Sequence, residues 1–289
     1  MRALLLAFLL PGLAAAEGLP PLEDEGFAVK LRASWVPAVV DAGPVDPAYQ
    51  MVVENLKGTE VPKSFIDAAF TDPAVAVDTK VVELINRPTE SLTWEEYRKL
   101  VLTEARIAAG VKFVQERADL LKAVSERTGV DPFVYTAIVG VETTYGRNRG
   151  SYKVFNSLYT IANRVPRRSQ WAGRELAALL RLCLREKAPP MSVVGSYAGA
   201  FGFGQFMPSS FLSYAVDFDS DGRSDPYAWP DVLASVANYL VKNGYKPGET
   251  DFSSKGSAYK AVFAYNHSDN YVRVVLELRA EILKRVSQA

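Results

Sequence analysis

DPFVYTAIVGVETTYGR, residues 131–147, decides how the rest of the chain is read. Asp131 followed by Pro132 marks a helix start. The aspartate side chain accepts an unpaired N–H of the first turn, and proline at the first helical position gives up a donor that had no partner there. The run that follows is apolar, with Phe133, Ile138 and Val141 directed inward, and it ends near Gly146. Glu142 therefore falls in the last turn of a buried helix. The negative end of the helix dipole and an apolar setting both penalise its ionised form, so the carboxyl is expected to keep its proton near neutral pH. The plain alternative is a surface glutamate paired with Arg147 or Arg149.

Working outward, the same kinds of signal predict helices along most of the chain. PKSFIDAAF (62–70) is a short helix with proline in its first turn, and a long helix runs from Thr93 or Thr103 to Arg127, stopped by Gly129. Its apolar face is Ile107, Val111, Val114, Ala118, Leu121 and Val124. Further helices are predicted at Ser157–Asn163, Ser169–Lys187, Pro208–Tyr214, Pro230–Asn243 and Gly256–Tyr265, with a last one at Asp269–Ser287 capped by Ser268. The fold class is predominantly α. Only FAVKLRASWVPAVV (27–40), in a proline-rich lead-in, suggests an edge strand. The expected division is a leader at 1–16, an extension of unknown role at 17–60, a helical lobe at 61–128 and a core domain at 129–289.

Composition narrows the class. With 289 residues, 48% of them apolar, the chain can bury one large core or two smaller ones. Lys plus Arg and Asp plus Glu both total 33, so no net basic field gathers nucleic acid. MRALLLAFLLPGLAAA (1–16) has one arginine, a short apolar run and a small-residue site, which makes it a secretory signal peptide cleaved before Glu17 rather than a membrane anchor. The single cysteine, Cys183, lies on the helical stripe Leu176, Leu179, Leu180, Cys183, Leu184 and is expected to be a core thiol. It is far from the leader, so a lipid-modified N-terminus is not expected.

Two loops remain. SYAGAFGFGQFMPSS (196–210) is too rich in glycine for a helix interior; no strand precedes it, and Met207 stands where a dinucleotide loop has its third glycine. Its glycines are expected to let backbone approach something bound. DFDSDGRSDPYAWPD (217–231) begins like an EF-hand loop, with Asp217, Asp219 and Asp221 at positions one, three and five and Gly222 at six. Arg223 at seven offers its carbonyl. Ala228 at twelve has no carboxylate, so the expected closing ligand is Asp231, giving an enlarged loop that holds one structural calcium. The alternative is an acidic, solvated turn.

Five separated motifs carry a family likeness: GVETTYGR (140–147), VPRR (165–168), GSYAGAFGFGQFMPSS (195–210), the loop 217–231 and AYNHSDNY (264–271). In order and spacing they resemble the membrane-bound lytic transglycosylase B family of bacterial cell-wall enzymes. The resemblance implies a lysozyme-like catalytic core, with a helical N-terminal lobe and a small inserted region carrying the EF-hand-like loop. It implies that Glu142 is the sole acid and base. It first protonates the glycosidic oxygen between N-acetylmuramic acid and N-acetylglucosamine, then takes the proton of the muramoyl 6-hydroxyl as a 1,6-anhydro sugar forms. Ser196 and Gln205 match polar residues of the cleft, Tyr265 and Asn266 a pair near the acid, and Tyr97, Phe206 and Tyr271 aromatics that face sugar or peptide. Arg167 and Arg168 match an arginine pair suited to stem-peptide carboxylates. Taken singly, Phe206 and Tyr265 are equally well core aromatics, and the arginines a solvated pair. The expected partner is peptidoglycan with its peptide stems, met by a monomer in the periplasm, with calcium and no organic cofactor. The rivals are a hydrolytic N-acetylmuramidase and a non-catalytic wall-binding protein.

Overall fold

The structure, a computed structural model, describes residues 46–86 and 92–288. The signal peptide and the suggested strand at 27–40 lie outside the described residues. Thirteen α-helices are present among those described: α1 Pro47–Leu56, α2 Lys63–Thr71, α3 Thr79–Asn86, α4 Trp94–Val101, α5 Glu104–Glu116, α6 Ala118–Thr128, α7 Pro132–Thr143, α8 Val154–Arg164, α9 Ser169–Arg185, α10 Pro208–Tyr214, α11 Trp229–Lys242, α12 Ser257–Tyr265 and α13 Asp269–Val286. Two-residue strands β1 (Tyr152–Lys153) and β2 (Val194–Gly195) pair antiparallel, with Tyr152 opposite Gly195. The fold is predominantly helical, as the sequence predicts.

The described residues form two compact units, each made of two stretches of chain: 92–148 with 214–288, and 46–86 with 149–213. These limits do not follow the boundaries expected at 60/61 and 128/129, because the chain leaves each unit and returns to it.

In the first unit α7 is buried on nearly all sides and packs against α13, α5, α6 and α11. Its start is as predicted: Asp131 Oδ1 accepts the Phe133 N–H at 2.8 Å and Pro132 takes the first helical position. Asp131 Oδ2 also pairs with Arg279 of α13, fastening the two helices. The single long helix expected before α7 is three helices. Thr93 and Thr103, the two alternative starts, each cap one: Thr93 forms a reciprocal capping box with Glu96, and Thr103 accepts the Arg106 N–H. A second break falls at Arg117, whose backbone leaves the helical region (φ −129°, ψ 24°) while its guanidinium lies over the rings of Phe113 and Trp229 at 4.5 and 5.4 Å. The break turns the face, so Ala118 is exposed and Val111 half-buried, and Gly110 and Phe113 are buried instead.

In the second unit α1 and α8 both pack against α9. Helix α1 lies in the segment taken for an extended lead-in. It starts by the Asp-Pro signal of α7: Asp46 Oδ1 accepts the N–H groups of Ala48 and Tyr49, and Asp46 also binds Tyr159 and Asn163 of α8. Helix α8 begins at Val154, three residues before its predicted start, because the Val154 N–H is held by the Val193 carbonyl beside the strand pair. Cys183 is a fully buried free thiol on the α9 core face, and burial pushes its pKa up.

Candidate active site

Glu142 lies in the last turn of α7 in the first unit and is 3% exposed. Its Oε1 accepts a hydrogen bond from the Tyr271 hydroxyl at 2.6 Å, whereas Oε2 is buried with no partner. Burial pushes the carboxyl up to about 8, with the Tyr271 hydroxyl pulling the other way. The alternative of a surface pair with Arg147 or Arg149 therefore falls: the carboxylate is inside, and its partner is a phenol. The shift favours the neutral acid near pH 7, with one oxygen held and one unpartnered.

The frame around this acid is aromatic. Tyr271 stands in the first turn of α13, where Ser268 caps the helix, and is fully buried. Burial first and the Glu142 charge second raise its pKa far above the phenol value, so it remains a donor. Tyr97 on α4 is buried against Val101 and Val274, and its hydroxyl is raised by burial and by the same charge. Tyr265 ends α12 half-buried, edge-on to Tyr239 at 4.9 Å between centroids, and is raised by burial, then by Glu142. Asn266, the C-cap of α12, is 3% exposed, and neither polar atom of its amide has a partner. A buried amide left open in this way is costly unless something else completes it. The structure thus brings Glu142, Tyr271, Tyr97 and Tyr265 into electrostatic reach of one another.

The turn after Glu142 holds residues that the sequence reading missed. Thr144 and Tyr145 both take left-handed backbone (φ 51° and 57°), unusual for side chains of their size. Arg106 of α5 steadies the turn, donating to the Thr144 hydroxyl at 3.3 Å and to the Val101 carbonyl at the end of α4. The Tyr145 ring end fills a slot between Gly110 and Gly140: a Cβ at either would fall 2.4 or 2.5 Å from the hydroxyl. The GxETxYG spacing of residues 140–146 carries no signal for this, since Gly110 belongs to another helix.

The other expected contact residues lie in the second unit. Gly195 of β2 leads into a tight loop in which Phe201 bridges both Gly195 and Phe206. Ser196 Oγ accepts the Ala200 N–H at 3.0 Å, and Gln205, at φ 50°, donates Nε2 to the Gly202 carbonyl at 2.8 Å while its Oε1 is buried and unpartnered. Two glycines of this region sit against protein: a Cβ on Gly195 would meet the Ala200 carbonyl at 2.0 Å, and one on Gly199 the Leu158 side chain at 2.5 Å. Phe206 is buried, edge-on to Phe211. The loop's exit is pinned by Glu175 of α9, whose two oxygens accept the Ser209 N–H and hydroxyl at 3.0 and 2.7 Å. Arg167 and Arg168 lie on a 3₁₀ turn at Pro166–Arg168. Arg167 donates to the Ile85 carbonyl and Asn86 side chain of α3; Arg168 is half-buried, and burial lowers its pKa.

In the acidic loop, Asp217, Asp219 and Asp231 bring carboxylate oxygens within 4.8 Å of one another. Gly222 turns at φ 91°, as position six of such a loop requires. Asp217 Oδ1 is buried without a partner. Asp231 is 2% exposed and its oxygens accept the Phe218 and Asp225 N–H groups; burial raises its pKa, those N–H groups oppose this, and the charges of Asp219 and Asp217 raise it further. An unmet oxygen and mutually repelling carboxylates fit a hard cation. Asp221 is not in the group: its Oδ1 accepts the Arg223 N–H at 2.9 Å.

The chain is similar to several known proteins. The family model described as Transglycosylase SLT domain matches residues 45–255. Membrane-bound lytic murein transglycosylase B of Escherichia coli K12 is 38% identical over 156 residues, which is 54% of this chain and 43% of that protein, so the chain spans less than half of that relative's length. The soluble lytic transglycosylase SltB1 of Pseudomonas aeruginosa is 30% identical, with a TM-score of 0.74 over 84% of this chain and 99% of its own. SltB3 of the same organism, solved with NAG-anhNAM-pentapeptide, is 27% identical, with a TM-score of 0.70 over 80% of this chain and 77% of its own.

Proposed function

This chain belongs to the Transglycosylase SLT domain family, and from that premise we propose that it is a peptidoglycan lytic transglycosylase in which Glu142 is the one acid and base. The observation that carries this reading is the setting of Glu142: buried, its pKa pushed up by that burial, with Oε2 unpartnered. In the first step the Oε2 proton goes to the glycosidic oxygen. The bond from that oxygen to the muramoyl anomeric carbon breaks, its electron pair leaving with N-acetylglucosamine. The substrate's acetamido group shares the positive charge, so no second carboxylate is called upon. In the second step the Glu142 carboxylate takes the 6-hydroxyl proton, and that oxygen bonds to the anomeric carbon. Glu142 ends protonated and no water is consumed.

The neighbours have roles that follow from their bonds. Tyr271 holds Oε1 in both protonation states and leaves Oε2 to the substrate. A pKa near the working pH suits a group that must give and then take one proton. Tyr97 and Tyr265 keep water from the acid, and the open amide of Asn266 is available to the sugar's acetamido group. Ser196, Gln205 and Phe206 are proposed sugar contacts, and Arg168, more than the already engaged Arg167, a contact to the peptide stem.

Mass spectrometry of digested murein sacculi tests the reaction. Wild type is expected to release muropeptides one water short of the hydrolysis products, and Glu142→Gln to release none. Fully hydrated products would make the protein a hydrolytic N-acetylmuramidase; binding without products would make it a wall-binding protein.

Asp217, Asp219 and Asp231 are proposed to hold one calcium, with Asp221 and the Arg223 carbonyl completing the set expected from the loop spacing. The ion would tie the loop to the first turn of α11 and neutralise crowded acids. None of the described helices is long and apolar enough to cross a membrane. We place the mature protein as a monomer in the periplasm, exported by residues 1–16.

A further inference from the structure

The second unit contains a cavity of about 390 Å³ that no part of the proposed reaction uses. It lies where α3, β1 and α8 meet, and its size is in the usual range for small-ligand sites. Its wall is held in place by Asn156 of α8, whose amide bonds the Ala74 carbonyl and the Ala76 N–H, and by Thr160, which accepts the Asp78 N–H at 2.9 Å. Ser157, 1% exposed, lines the cavity, and its hydroxyl has no partner. Lys80 and Lys153 stand exposed at the rim, and Asp78 spends one oxygen on the Lys80 N–H at the start of α3. The remaining capacity is two ammonium groups, a buried hydroxyl, the Tyr152 ring and the second Asp78 oxygen.

That set is complementary to a carboxylate with an ammonium group nearby, and poorly suited to an uncharged sugar. The position of the cavity says what would carry those groups. Tyr152 pairs with Gly195, the residue before the proposed sugar contact Ser196, and its ring lies edge-on to Tyr197 at 6.1 Å. Arg167, one of the two arginines expected to meet stem carboxylates, has its Nη2 engaged at the other end of α3. We propose that Lys80, Lys153 and Ser157 form a receptor for the charged end of the substrate's peptide branch, taking a residue that presents both a carboxylate and an ammonium group. The inference rests on the murein reading for the identity of its ligand, but not on turnover.

Calorimetric titration with the free stem pentapeptide tests it directly, using the full chain and the Glu142→Gln variant. Binding is expected, weakened at least tenfold in Lys80→Gln/Lys153→Gln and severalfold in Ser157→Ala, and abolished when the peptide's carboxylates are amidated. The rim lysines are exposed, so an unchanged melting curve of the double variant serves as its folding control. No binding to wild type, binding indifferent to the lysines, or equal competition by inorganic phosphate overturns the proposal. Lysine-dependent binding in a protein that yields no anhydro products keeps this receptor and rejects the reaction.

Discussion

Among the described residues each unit buries one glutamate, and the two are used in opposite ways. Glu142 in the first unit and Glu175 in the second are 3% and 6% exposed, and burial raises the pKa of both. Glu175 has both oxygens engaged by Ser209 at the start of α10, so its burial is compensated and its chemistry is spent on holding a loop. Glu142 has one oxygen engaged and one open. A saturated buried acid is a fastening; an unsaturated one retains a proton to give. The difference lies in partners rather than depth.

Substitution by glutamine should separate them sharply. Glu142→Gln is expected to lower murein turnover by about 10²–10⁴-fold or more, the usual range for a lost general acid. It should also stabilise the fold. A carboxyl whose folded pKa is raised contributes stability below its unfolded value near 4.5, and that contribution is lost as pH rises through about 8. The variant's gain should therefore be small at acidic pH and reach the order of a few kcal/mol above pH 8. Melting curves at both extremes check the sign; a gain that does not grow with pH contradicts the assignment.

Glu175→Gln should do the reverse. The amide cannot accept both Ser209 bonds, and one unsatisfied group costs about 1–3 kcal/mol. A lower melting temperature with most turnover retained is expected, and a stabilised Glu175→Gln would break the distinction between the two acids.

An effect of similar size belongs to the acidic loop, where the open oxygen is Asp217 Oδ1. Calcium at a hundred times its dissociation constant should stabilise the protein by about 2.7 kcal/mol. Asp231→Ala should remove most of the melting shift between calcium and chelator, and coincident curves for wild type would reject the site.

Legibility in the sequence followed the range of the interactions. Asp131-Pro132 is a local signal and predicted the start of α7; Asp46-Pro47 is the same signal and starts α1, but its proline-rich surroundings hid it. The burial of Glu142 was readable from the apolar residues before it. Its partner Tyr271, 129 residues away, was expected from a motif only as an aromatic facing sugar or peptide, and its bond to the acid was not expected. Glu175 was not readable at all: beside Arg174 it has the pattern of a solvated pair, and only the return of the chain at Ser209 makes it internal. Thr103 was offered only as an alternative start and the break at Arg117 was missed, because periodicity continues across both, whereas a cap and an arginine stacked on Phe113 and Trp229 override it.

The central claim is that Glu142 holds a proton at neutral pH because it is buried and only half satisfied. Carboxyl ¹³C NMR of protein labelled at glutamate side chains measures this directly. One resonance absent from Glu142→Gln should titrate with a midpoint of about 8, and Tyr271→Phe should move it upward, since the tyrosine hydroxyl pulls the midpoint down. A Glu142 resonance that titrates near 4.5, the ordinary glutamate value, would contradict the account.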